Sequence, residues 1–200
     1  MRKLCAVRII SGEHRGRVLV PPPGDATRPI TDRAKQSIFD VLNPLIDGAV
    51  VYDCFCGTGS MGLECLSRGA RLATFFDADR GALAGLRKNI AALRVEKQST
   101  VLSGDIFKVA GTMAVPSLAD LIFVDPPYRF LVEQPQHLRS LATMLIQRHA
   151  AAGALFIFRH DTADSLSLPG LDRADVRIYG SMTIELLRAA PAGSLSQGQP

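Results

Sequence analysis

The sequence predicts an α/β protein built on a largely parallel sheet with helices on both faces. Three observations carry that prediction. From Ala49 onward, short apolar runs rich in Val, Ile and Phe alternate with stretches whose apolar residues recur at helical spacing, as in βαβ units. A glycine-rich segment, GTGSMG (57–62), directly follows the first of these runs. The last two runs are separated by too little chain for a crossover helix, so they should pair antiparallel through a tight turn.

VVYDCF (50–55) is the first strand, and Ser60 to Arg68 the helix after it. LATFFDA (72–78) is the second strand. A helix follows from about Asp79 to Leu93, with Leu83, Leu86, Ile90 and Leu93 on one face. STVLSGD (99–105) reads as a third strand. LADLIFVDPPY (118–128) holds a fourth, apolar enough to be buried on both faces and ended by two prolines that donate no ladder hydrogen bond. A helix fits Gln136 to His149, and GALFIF (153–158) gives a fifth strand; ADVRIYG (174–180) and MTIELLR (182–188) form the closing pair. Upstream, CAVRIISG and RGRVLVPPP suggest a short hairpin. TDRAKQSIFDVL (31–42) suggests a helix capped by Thr31 with Ile38, Val41 and Leu42 on its apolar face. The expected organisation is a basic N-terminal hairpin and helix over 1–45, a main domain over 46–188 and a disordered tail over 189–200.

The chain has 200 residues, 47% of them hydrophobic, enough for a substantial core. No stretch approaches the roughly 20 uninterrupted apolar residues of a membrane span, and the N-terminus lacks the apolar run of a signal peptide, so a cytoplasmic protein is expected. Cys5, Cys54, Cys56 and Cys65 form no CxxC and have no histidine at ligand spacing. They read as small buried hydrophobes, with no metal site. Residues 1–35 carry eight Lys/Arg against three acids, whereas the remainder is close to neutral. That asymmetry suggests a nucleic-acid partner, against the plainer reading of a solvated basic arm.

GTGSMG matches the G-x-G-x-x-G dinucleotide fingerprint, but Asp53 precedes its first glycine by four residues. Like charges about 4 Å apart repel by roughly 4 kcal/mol at an effective dielectric near 20, so an acid suits a pyrophosphate poorly. A cationic ligand reverses the sign. S-adenosylmethionine offers an α-ammonium and a sulfonium, which Asp53 at the strand tip would attract; the alternative for Asp53 is a loop-capping acid. Asp77, about twenty residues past the glycines, suits a ribose diol, with Asp79 its near rival. Asp105 suits the adenine amino group, with Ala78 and Ile106 as apolar walls, or else it caps a helix.

Asp125-Pro126-Pro127-Tyr128 closes the fourth strand on the same predicted sheet edge. An exocyclic amine on a nucleobase is a poor nucleophile because its lone pair is delocalised into the ring. The Asp125 carboxylate and the Pro126 carbonyl can accept its protons while the prolines, Pro127 included, stiffen the loop. Tyr128 offers a face for a base held out of its stack.

The sequence resembles class I S-adenosylmethionine-dependent methyltransferases, and more narrowly the bacterial 16S ribosomal RNA guanine-N2 methyltransferase family that modifies guanine-966. The resemblance covers about residues 6–188 and rests on VRIISGEHRGR, TRPITDRAKQSIFDVL, DCFCGTGSMGLECLSRGA, FFDADRGALAGLRKNI and FVDPPY. It implies a Rossmann-like, seven-stranded mixed sheet with an antiparallel last strand, an N-terminal hairpin on the rRNA, and a protein-bearing small-subunit particle as substrate. It further implies a monomer using S-adenosylmethionine, with S-adenosylhomocysteine as product and no metal. Asp53, Phe55, Gly57 and Gly59 would line the methionine end, Asp77 the ribose, and Asp105 and Ile106, with Ala78, the adenine. Asp125, Pro126, Pro127 and Tyr128 would meet the guanine. Cys54 and Cys56 stand where the family commonly has leucine or alanine, and Asp77 where glutamate is more usual. Arg8, Arg15, Arg17, Arg28 and Arg33 are expected on RNA phosphates, with His14 and Lys35 as weaker members. The competing readings are adenine-N6 methylation, a non-catalytic RNA-binding assembly factor, and an NAD oxidoreductase, which explains neither Asp53 nor DPPY.

Overall fold

The computed structural model describes residues 7–21, 30–112 and 117–189. The chain divides into two compact units, one ending at Ile106 and one beginning at Phe107. The first carries α1 (Asp32–Leu42), β1 (Val50–Cys54), α2 (Ser60–Ser67), β2 (Leu72–Asp77), α3 (Arg80–Leu93) and β3 (Ser99–Ser103). After α4 (Ile106–Val109) come β4 (Ala119–Val124), α5 (Arg129–Glu133), α6 (Pro135–Arg148), β5 (Ala150–Asp161), β6 (Leu171–Tyr179) and β7 (Met182–Ala189). The strand order is β3-β2-β1-β4-β5-β7-β6. β1 with β2, β2 with β3, and β4 with β5 are parallel, and β7 runs antiparallel to both of its neighbours.

Every residue of β1 is buried, which is why VVYDC reads as continuous apolar chain rather than as an alternation. Tyr52 and Phe76 lie fully buried with ring centroids 5.4 Å apart, and Leu83, Leu86 and Ile90 bury the inner face of α3. In the second unit, Phe123, Phe156 and Phe158 are each at most 1% exposed. Thr31 caps α1 as expected, its side chain accepting the Ala34 N–H at 3.2 Å.

Three expectations need adjusting. The N-terminal hairpin reduces to one isolated antiparallel bridge, Arg8 with Val18, flanked by backbone bonds from Ile9 to Arg17 and from Leu19 to Val7. β5 begins at Ala150 and ends at Asp161, well beyond the apolar run that signals it, because its last seven residues pair with β7. The short helix α5 has no sequence signal, and α4 enters only through the alternative in which Asp105 caps a helix; five and four residues are too few to display a period. The tail after Ala189 and Cys5 lie outside the described residues. Among the described residues no helix is long and apolar enough to cross a membrane.

The N-terminal segment is held on α2 by a buried carboxylate. Glu64, fully buried, accepts the Ile10 N–H at 2.8 Å, the Ser11 N–H at 3.0 Å, the Lys35 ammonium at 2.9 Å and the Arg68 Nε–H at 2.8 Å. Lys35 also donates to the Arg8 carbonyl at 3.0 Å. Burial pushes the Lys35 ammonium below its ordinary value, and Glu64 opposes that shift. Lys35 is therefore not an RNA contact: it is 1% exposed, three and four residues before the buried Ile38 and Phe39, on the inner face of α1. One turn further along α2, Ser67 accepts the Glu13 and His14 amides and donates to the Ser11 carbonyl.

Removing one partner of a buried ion pair strands the other, so Glu64→Gln should lower stability by about 3 kcal/mol or more. Urea unfolding measures this, and a midpoint indistinguishable from that of the native chain would contradict the assignment.

Candidate active site

In the first unit, the loop between β1 and α2 is drawn taut by two carboxylates. Phe55 (φ 60°), Gly57 (φ 54°) and Gly59 (φ 83°) all adopt left-handed backbone. For a residue as bulky as Phe55 this conformation is costly and persists only where the surroundings enforce it. Next to it the Cys56 N–H donates to the Phe76 carbonyl at 2.9 Å, and Asp77 Oδ2 accepts the Gly57 N–H at 2.7 Å while its Oδ1 accepts the Asp79 N–H at 2.8 Å. Asp53, 2% exposed at the end of β1, accepts the Gly62 N–H at 2.8 Å, inside the first turn of α2. Asn89 of α3 donates to the Thr58 carbonyl at 3.1 Å from below.

The three glycines thus do different work. A Cβ on Gly57 would meet nothing within 4 Å, leaving its backbone open to a ligand, whereas one on Gly59 would overlap Leu86 and one on Gly62 would overlap Phe75. Gly62 is the packing glycine that lets α2 lie close on β2. Ser60, which opens α2, has a buried hydroxyl with no hydrogen-bond partner among the described residues. A hydroxyl in that state fits a bound polar ligand, and sequence reasoning missed it because a serine there reads as an ordinary helix start.

Of the remaining predicted cofactor residues, Ala78 is exposed, Asp105 is half-buried past β3, and Ile106 is buried at the start of α4. The Gly104 N–H donates to the Asp77 carbonyl at 3.0 Å, so the ends of β2 and β3 are joined. Asp79, the rival of Asp77, is the N-cap of α3 and accepts the Gly81 and Ala82 amides. Cys54, Cys56 and Cys65 are buried with thiols pushed well up by burial, which suits packing and not nucleophilic chemistry. No group of three or more His, Cys, Asp or Glu among the described residues is placed to hold a metal ion.

The candidate RNA residues lie in the same unit. Arg15 and Arg33 are exposed, and His14 is half-buried. Arg8 pairs with Asp32, and Arg17 donates to the Ala92 carbonyl at 2.8 Å. Arg28 lies outside the described residues.

In the second unit, Asp125 directly follows β4, with Pro126 buried, Pro127 exposed and Tyr128 half-buried. Its Oδ1 accepts the Nε–H of Arg159 at 2.6 Å. Burial raises the Asp125 carboxyl above its ordinary value, and Arg159 works against that rise. A carboxylate held so binds a proton more strongly than a solvated one, which suits a proton acceptor. Past the loop, Phe107 lies 6.0 Å from the Phe130 ring and 5.4 Å from the His137 ring. Neither Arg159 nor this aromatic group was predicted.

A glycine loop after β1, acids at the ends of β1 and β2, and an antiparallel β7 between β5 and β6 define a class I S-adenosylmethionine-dependent methyltransferase of Rossmann-like fold. The solved structure of yhhF from Escherichia coli has the same fold, with a TM-score of 0.79 and 30% identity over 92% of this chain and 98% of that one. Residues 7–188 match the family described as Conserved hypothetical protein 95, and the chain belongs to that family. YlbH of Bacillus subtilis is 36% identical over 140 residues, 70% of this chain and 73% of that protein. Ribosomal RNA small subunit methyltransferase D of Escherichia coli is 39% identical over 123 residues, 62% of this chain and 61% of that protein. These relatives bear out the family resemblance read from the sequence.

The loop geometry separates two substitutions. Gly59→Ala combines backbone strain with overlap on Leu86, whereas Gly57→Ala incurs the strain alone, about 1 kcal/mol. Chemical denaturation should therefore rank Gly59→Ala as clearly the less stable; equal losses would mean that the loop is not packed as described.

Proposed function

We propose that this chain transfers a methyl group from S-adenosylmethionine to the exocyclic N2 of a guanine in 16S rRNA, guanine-966, in the assembled or assembling small subunit. The observation that carries the reading is the half-buried, arginine-held Asp125 in a DPPY loop at the end of β4. Family membership and the name of the Escherichia coli relative support the rRNA substrate.

In the first unit, the residues fit S-adenosylmethionine by the chemistry of their donors: Gly57 has an open side, Ser60 an unpartnered hydroxyl, and Asp53 and Asp77 bring negative charge to a cationic ligand. Asp53 and Asp77 act mainly by fixing the loop through Gly62 and Gly57, with Asp77 beside the ribose and Asp105, Ile106 and Ala78 beside the adenine. When bound, S-adenosylmethionine supplies an electrophilic methyl group on a sulfonium and leaves as S-adenosylhomocysteine. In the second unit, Asp125 and the Pro126 carbonyl accept the two N2 protons, which frees the amine lone pair from the ring. Asp125 takes the proton that the methylated nitrogen sheds. Tyr128 stacks the splayed base, worth about 1 to 3 kcal/mol.

Asp125 must be ionised to act, and its carboxyl is raised, so activity should fail on acidification above the ordinary aspartate range near 4. Asp125→Asn removes the proton acceptor and should cut kcat by roughly 10² to 10⁴. Calorimetry on the same variant should find cofactor binding unchanged; full turnover would refute the catalytic role.

Binding to the 16S rRNA target should weaken with salt. Arg15→Ala or Arg33→Ala should each lower the magnitude of the log–log salt slope by about 1, because each leaves one phosphate without its neutralising cation. An unchanged slope in both variants would remove the basic arm from the RNA interface.

A further inference from the structure

Val124 pairs with Phe158 as the last ladder step of β4 with β5, and one residue on, Asp125 and Arg159 lie side by side. Arg159 continues the apolar run Phe156-Ile157-Phe158, and its side chain is only 17% exposed. A guanidinium taken that far out of water is costly unless it is paired. Its Nε–H bonds Asp125 Oδ1 at 2.6 Å, and its Nη1 lies 4.0 Å from the Met182 sulfur on β7.

We propose that Arg159 is a positioning residue for Asp125: its Nε–H grips Oδ1 and so fixes Oδ2 as the oxygen presented to the substrate amine. The inference rests on the reading of Asp125 as the proton acceptor. A carboxylate at the end of a strand rotates about χ2 unless one oxygen is held, and a rotated carboxylate no longer meets the amine along the required line. The guanidinium charge has a second effect. Burial disfavours the ionised form of Asp125, and the adjacent cation works against that effect.

On the same sheet face, by register, are Asp161 of β5 and Arg177 and Tyr179 of β6. Asp161 accepts the Ala163 N–H at 3.0 Å, and Arg177 pairs with Asp175 at 2.8 Å. Arg129 and Glu133 of α5 lie 3.8 Å from one another. Arg159 is thus the cation whose removal the Asp125 carboxylate should register.

Two variants separate charge from geometry when the pH profile of kcat/KM is measured on the full-length protein with its RNA substrate. Arg159→Gln keeps a donor and removes the charge; its acid limb should move up by about one pH unit or more. Arg159→Lys keeps the charge without the planar fork; its limb should stay near the native position while kcat falls about ten- to a hundredfold at unchanged KM for S-adenosylmethionine. A native-like limb in Arg159→Gln together with native kcat in Arg159→Lys would overturn the proposal. If Arg159→Gln does not fold, the Arg159→Lys kcat decides alone. The parallel Asp125→Asn variant distinguishes the two possible failures. Turnover by Asp125→Asn would sink the reading of Asp125, whereas an inactive Asp125→Asn beside unaffected Arg159 variants would sink only the role of Arg159.

Discussion

A carboxylate removed from water must have its oxygens engaged by N–H donors or cations, and the molecule uses this requirement repeatedly as a fastener. Glu64 gathers two arm amides, a lysine and an arginine, and so binds the N-terminal segment to α1 and α2. Asp77 holds the Gly57 amide of the glycine loop, and Asp53 the Gly62 amide in the first turn of α2. Asp125, half-buried, is gripped by Arg159, whose charge opposes the rise that burial imposes on its carboxyl. The reach of these fasteners ranges from nine residues, Asp53 to Gly62, to 54, Glu64 to Ile10.

The placement of these acids explains how a dinucleotide-like glycine pattern comes to serve a different ligand. Glycines at 57, 59 and 62 answer to an open approach, a turn and helix packing respectively, and none of these needs is specific to a pyrophosphate. The sequence presents Asp53 as a charge aimed at the ligand. In the structure it is buried and bonded to Gly62, so its first task is mechanical: it fixes where α2 begins.

Most of the architecture was legible because βαβ chains write it twice, in apolar runs and in the glycines and prolines that stop them. The closing antiparallel pair followed from the shortness of its connection. What stayed illegible depends on pairing at a distance. Arg159 reads as a stray charge in an apolar strand until the register of β4 with β5 sets it beside a residue 34 positions away. Ser60 needs its surroundings before its lack of a partner is visible. Lys35 was legible and was misread: its spacing from Ile38, Phe39 and Leu42 already places it on the buried face of α1, but the basic segment around it drew it into the RNA set. Asp79 likewise stands at the N-cap position, where it accepts the Gly81 and Ala82 amides.

The proposed methyl-donor site in the first unit and the proposed amine-activating loop in the second lead to one central claim, which concerns the atom that is methylated. Nucleoside mass analysis of 16S rRNA from cells with and without this protein tests that claim directly. The expected result is that one N2-methylguanosine, at guanine-966, disappears without the protein and returns on its re-expression. An unchanged N2-methylguanosine content, or the loss of an N6-methyladenosine instead, would contradict it.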